Sequence, residues 1–149
     1  MGSRPVHASV LASLLLLALV AGGCGASAPV PERALAGSWV LDTVYAAGTP
    51  SPVGPAVGAW IVFDGDGHVS LYDGVNHGSG SFSVAGDRIT FQNVATTLIG
   101  CARSDCTPAG FDEVTGGTAT FRLRGGRLTL TAGAHGLGFH AVAHLPTPH

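Results

Sequence analysis

Three cysteines, seven histidines and nine carboxylates are the side chains of this sequence best suited to chemistry. Their spacing decides which chemistry is open to them. Cys101 and Cys106 have four residues between them, so they do not make the CxxC pair of a dithiol redox centre. In an oxidising compartment an even pair of thiols closes into a disulfide. A loop this short gains roughly 2 kcal/mol from chain entropy, less any strain. A structural disulfide that pins a loop is the expectation, with two unpaired thiols as the alternative. His68, His77, His135, His140 and His144 invite a metal. On a strand His140 and His144 would share a face and His135 would not. No Cys₂His₂ or His-x-Glu arrangement is present, so these read as scattered surface groups, with no metal and no cofactor expected.

The remaining polar residues point to turns more than to catalysis. Asp64-x-Asp66-Gly67 opens as a calcium loop would, but the twelfth position is Val75, where the chemistry needs a Glu. A solvated hairpin turn fits better, and Asp73 and Asp87 fall in similar places. Asn76 reads as a residue that holds a turn by local hydrogen bonding, or else one that faces a ligand. Ser79, Ser81 and Ser83 belong to a strand pattern, and no Gly-x-Ser-x-Gly elbow exists. No phosphate-cradling loop precedes a helix. An enzyme would need a cleft gathering His, Asp and Ser from distant parts of the chain, so the expectation is a protein without catalysis. The formal net charge of −2 argues against nucleic acid as a partner. Arg122, Arg124 and Arg127 cluster locally and read as a solvated strand face, with anionic lipid headgroups or a partner as the alternative.

Cys24 has a different setting. Arg4 and His7 precede an apolar run from Val10 to Ala21, followed by Gly22-Gly23-Cys24. The run is too short to span a bilayer comfortably as a helix. A basic start, a short apolar run and small residues before a cut site make a secretory signal peptide over residues 1–23. Ala21-Gly22-Gly23-Cys24 resembles the bacterial lipobox, with Ala21 where Leu is commoner. The resemblance implies that Cys24 takes a diacylglycerol thioether and begins the mature protein. Each buried CH₂ of such a chain contributes about 0.8 kcal/mol, and two or three chains anchor stably. The partner implied is therefore a membrane, with the folded part lipid-anchored on the extracytoplasmic face. Residues 24–34 begin CGASAPVP, a tether composition with little to bury.

The elements that must position these residues are strands. Phe82 and Val84 alternate with serines, Ala85-Gly86-Asp87 turns the chain, and Ile89 and Phe91 alternate with Arg88, Thr90 and Gln92. Alternation on both sides of a short Gly-containing turn predicts a hairpin with those four apolar residues on one buried face. A second hairpin runs through Ala119, Phe121 and Leu123, a Gly125-Gly126 turn, then Leu128 and Leu130. Leu35–Tyr45 reads as the first strand, with Trp39, Leu41 and Thr43 on one face and Val40, Asp42 and Val44 on the other. Residues 46–58 hold three prolines and three glycines and read as a loop. Strands follow at Trp60–Phe63 and His68–Tyr72. Residues 94–117 are irregular, with one short helical turn over Phe111–Val114, and Leu137, Phe139 and Ala141 mark a last strand.

Two segments carry a likeness to a known family. Leu35-Ala36-Gly37-Ser38-Trp39-Val40-Leu41 is similar to the opening of the META domain, the HslJ-like family of bacterial envelope lipoproteins. Asn76-x-x-x-Gly80-x-Phe82, with Ile89-x-Phe91, Ala95-Thr96-Thr97 and Cys101 after it, resembles that family's central segments. The likeness covers about residues 35–142. The family's Cys before Asn is Val75 here, and its helical stretch is shortened and Gly-rich. The resemblance implies an all-β, antiparallel, barrel-like domain of about eight strands with at most one short helix, over residues 35–145, with 146–149 a tail. Its function would be that of a non-catalytic interaction or stress-associated binding module with an envelope protein partner. The alternative is a carrier of a small apolar ligand, since Gly37-x-Trp39 also resembles the first strand of lipocalin-like barrels. A filled core would favour the first and an internal cavity the second.

Overall fold

Short runs of alternating apolar residues, cut by glycine and aspartate turns, leave antiparallel pairing as the way to satisfy the backbone. The computed structural model describes Gly2, residues 32–100 and residues 106–147. Of the segment expected to be a signal peptide only Gly2 is described, and Cys24 and Cys101 lie outside the described residues. The strands are β1 (Gly37–Ala46), β2 (Thr49–Pro52), β3 (Trp60–Phe63), β4 (His68–Tyr72), β5 (His77–Ala85), β6 (Arg88–Thr96), β7 (Thr118–Arg124), β8 (Arg127–Ala132) and β9 (His135–Val142). One five-residue helix, α1 (Phe111–Thr115), precedes β7.

β1 pairs antiparallel with β2 and with β3, each strand from β3 to β8 pairs antiparallel with the next, and β9 returns to β1. Eight strands thereby close a barrel. β1 is long enough to serve three neighbours: β9 along one side, and β3 then β2 along the other. β2 is thus an extra strand outside the closed ring. It lies within the segment expected to be a loop, and its two prolines are what hid it. Pro50 and Pro52 stand opposite Tyr45 and Thr43, at positions of a two-residue hairpin whose N–H would point away from β1.

The inward face is continuous. Trp39, Leu41, Ile61, Phe63, Val69, Leu71, Phe82, Ile89, Phe91, Phe121, Leu128, Leu130, Leu137 and Phe139 are all buried in one cluster. Both predicted hairpins face this way, with Phe82 opposite Phe91 and Leu123 opposite Leu128. One detail of β1 differs from simple alternation. A bulge between Leu41 and Thr43 inserts Asp42, so Val44 rather than Thr43 packs against the core. Leu35 closes one end of the barrel, where its carbonyl accepts a 2.8 Å bond from Trp39 Nε1. α1 covers the other end with buried Phe111 and Val114, next to His135, which pairs with the last residue of β1. A single 3-10 turn, Glu32–Ala34, precedes Leu35, and Glu32 Oε1 accepts from Val84 N at 3.1 Å.

A second bulge explains Gly80. The pairing of β5 with β6 shifts between Ser79 and Ser81, and Asn93 takes up the extra residue with φ 52°. A methyl on Gly80 would come 2.8 Å from the Gln92 carbonyl oxygen and 2.9 Å from Val94 Cα. Only glycine fits there, which is the physical content of the Asn76-x-x-x-Gly80-x-Phe82 pattern.

Candidate functional site

The outer wall of the barrel gathers the side chains that sequence separates. Cross-strand pairing sets one continuous outward row: His77 beside Tyr72, Tyr72 beside Trp60, Trp60 beside Val40, Val40 beside His140, and His140 beside Arg127. Each of these alternates with an inward neighbour, so all of them face away from the core. The row passes from aromatic to charged as it crosses β1.

Its aromatic half is tightly associated. The Tyr72 and His77 rings stack at 4.5 Å, and Trp60 lies 6.0 Å from Tyr72 and 5.9 Å from His77. Tyr72 Oη donates to the Gly74 carbonyl at 2.7 Å. Beside these rings an open groove of about 560 Å³ runs over Ser70, Gly78, Ser79, Ala95, Thr96 and Thr97, walled by Trp60 and His77. The adjoining turn is braced from two directions. Asp73 Oδ1 accepts from the N–H groups of Val75 and Asn76, which makes Asp73 the local turn-former. Asn76 reaches further than the sequence reading had it: its Oδ1 accepts from Ile99 N at 2.7 Å and its Nδ2 donates to Asp73 Oδ2. The chain after β6 is thereby held against the β4–β5 turn, with Leu98 and Ile99 exposed.

The charged half centres on Asp42. Its Oδ1 accepts from Arg127 Nη2 and from Thr43 Oγ1, each at 2.7 Å, and its Oδ2 lies 2.9 Å from His140 Nδ1. Burial pushes the Asp42 carboxyl up, but the hydrogen bonds from Arg127, Thr43 and His140 and the Arg127 charge together hold it below the usual value. The same contact raises Arg127. Next to this cluster lies a second groove of about 360 Å³. Its walls are mainly Val40, Val53, Pro55, Val142 and Pro146, with Asp42, His140 and His144 on its polar side.

Of the histidines weighed as metal ligands, His140 and His144 line one groove and the other three lie apart. His68 contacts Asp64 at 3.3 Å, His135 sits against Gly110, and His77 begins the outward row, with β4, β3 and β1 between it and His140. Asp64 Oδ1 accepts from Asp66 N and His68 N, a turn-forming role. Among the described residues, no three His, Cys, Asp or Glu side chains converge to hold a metal ion. Arg122, Arg124 and Arg127 are all exposed, as the solvated-face reading has them, and Arg127 also pairs with Asp42 on β1. Of the two cysteines expected to pair, Cys106 is described, with its carbonyl oxygen packed against Gly74.

The META domain family matches residues 33–142. This chain belongs to the META domain family. Two solved structures under 25% identical share its fold. An NMR structure of a protein from Burkholderia xenovorans is similar with TM-score 0.55 and 21% identity, covering 95% of this chain and 100% of that one. A second NMR structure matches with TM-score 0.55 and 22% identity, covering 75% of this chain and 94% of the other. A lipocalin-like protein from Bacteroides uniformis matches with TM-score 0.46 and 22% identity, covering 72% and 98%. No curated protein matches.

Proposed function

We propose that this META domain protein is a non-catalytic binding module of a bacterial envelope, anchored through an acylated Cys24 and engaging its partner on the outer wall of the barrel. The observation that carries the reading is where space lies. Inward faces of all eight barrel strands meet in one apolar cluster, whereas the two grooves lie against outward residues. A module of this kind recognises by its surface and needs no reacting group. The anchor rests on the signal-like leader and the lipobox-like Ala21-Gly22-Gly23-Cys24. A Cys101–Cys106 disulfide fits the same extracytoplasmic setting.

Metabolic labelling with a radioactive fatty acid tests the anchor. Label should enter the wild-type protein and be absent from Cys24→Ala; equal label in both overturns it. Intact mass before and after reductant tests the disulfide, with a gain of two hydrogens expected.

A second reading has its own observation. The apolar walls of the Val53–Val142 groove would suit a small apolar ligand carried on the outside of the barrel. Saturable shifts of the Val53 and Val142 methyl resonances with decanoate, lost in Val142→Arg, would support it.

A further inference from the structure

We propose that the groove beside Trp60 is a binding site for a neutral oligosaccharide. This deepens the reading of the outer wall as the binding surface and rests on it. Two adjacent outward rows define the site. Trp60 and His77 of the ring row form one wall, with Tyr72 packed against both. The next outward row, Ser70, Ser79 and Ala95, forms a floor of small residues. Strand alternation sends the residues between these rows inward, so the floor stays low and the wall stands above it.

The chemistry of the lining selects the ligand. Ser70 and Ser79 supply hydroxyls that both donate and accept, Thr97 Oγ1 is already engaged with His77 N and Asn76 Oδ1, and no Asp, Glu or Arg lines the groove. Phosphate or another anion would call for a guanidinium or ammonium group. The nearest arginine of the outward row, Arg127, is engaged with Asp42 on the far side of β1. A purely apolar ligand would leave the hydroxyl floor unpaired, at a cost. A pyranose answers both surfaces. Its hydroxyl edge matches the floor, and its polarised C–H face meets the electron-rich face of an aromatic ring. The groove's size, about 560 Å³, lies within the small-molecule range of roughly 300–1,000 Å³. It is open, which suits a stretch of a longer glycan chain.

The wall is set before any ligand arrives. Tyr72 is fixed by its bond to Gly74 and stacked on His77, and His77 N donates to Thr97 Oγ1 at 3.1 Å. Trp60 packs against both rings. Rigid aromatic contacts lose little entropy on binding.

The test is an NMR titration of the ¹⁵N-labelled full chain in a sugar-free phosphocholine detergent, using triacetylchitotriose, cellotriose and maltotriose. At least one should shift the Trp60 indole N–H and the Ser79 and Thr97 amides saturably, leaving the buried Trp39 indole unmoved. Trp60→Ala should weaken binding about tenfold, the scale of one lost aromatic contact. Ser79→Arg, an exposed change that leaves the core intact, should abolish it, while Arg122→Ala, exposed on β7 outside both grooves, should bind as wild type. A response to chitotriose alone assigns an N-acetylated polymer, and a response to the others a hexose polymer. Absence of shifts with all three at about 10 mM, far weaker than a useful site, or shifts that survive both Trp60→Ala and Ser79→Arg, overturns the proposal. Fatty-acid labelling at Cys24 reads the anchor separately, so either idea can fail alone.

Discussion

Asp42 Oδ2 and His140 Nδ1 lie 2.9 Å apart although 98 residues separate them in the chain. The bulge in β1 and the β1–β9 seam bring them together, and Arg127 joins from β8. Because the Asp42 carboxyl is depressed in the folded state, its contribution is fully present above its unfolded value of about 3.9 and is lost as pH falls through the lower folded value. Asp42→Asn should cost roughly 1 kcal/mol at pH 7, discounted for solvent exposure. The gap to wild type should close as the pH is lowered below about 4. Urea unfolding at a series of pH values measures it; a gap that stays constant with pH contradicts this account.

Tyr45 covers two glycines of β9. A methyl on Gly138 would meet Thr43 Cβ at 3.2 Å and Tyr45 Cε2 at 3.3 Å, and one on Gly136 would meet Tyr45 Cβ at 3.1 Å. An aromatic ring thus shields backbone that has no side chain of its own. Gly138→Val should destabilise by about 1–3 kcal/mol through overpacking against that ring. In a Tyr45→Ala background the same change should cost less, giving a coupling of about 0.5–3 kcal/mol in a double-mutant cycle. Additive losses would show that the ring is not what Gly138 accommodates.

Ala47 is strained. It takes φ 48° beside Gly48 at φ 83° in the two-residue turn between β1 and β2. Two positive values mark a turn that favours Asn-Gly. Ala47→Asn keeps the backbone donor that reaches the Ala134 carbonyl at 2.7 Å. It should raise stability by about 0.5–1 kcal/mol by relieving a left-handed alanine. A lower thermal midpoint for the variant would count against the strain.

The sequence made the hairpins readable because alternation and turn chemistry are local. Phe82, Ile89, Phe121 and Leu128 all point inward as their spacing requires. β2 was hidden because prolines at 50 and 52 look like breakers until the partner strand is known. The Asp42 bulge was hidden too, since nothing local marks a residue that pairs one-to-two with a strand near the other end of the chain. The same holds for Asp42–Arg127, 85 residues apart. The aromatic row was within reach. Once Asp64–Gly67 is accepted as a tight turn, β3 and β4 fall into register and Trp60 must stand beside Tyr72.

The prolines of β2 have a consequence for the molecule's company. The ring closes between β1 and β9, but β6 pairs with β7 only over Arg88–Thr90, so among the described residues another chain could be zipped along the rest of β6 or along β2. On its free side the two backbone positions that would offer hydrogens are Pro50 and Pro52, which have none. Crowded copies of this protein therefore meet, at β2, a ribbon with no backbone hydrogens to offer for cross-β growth.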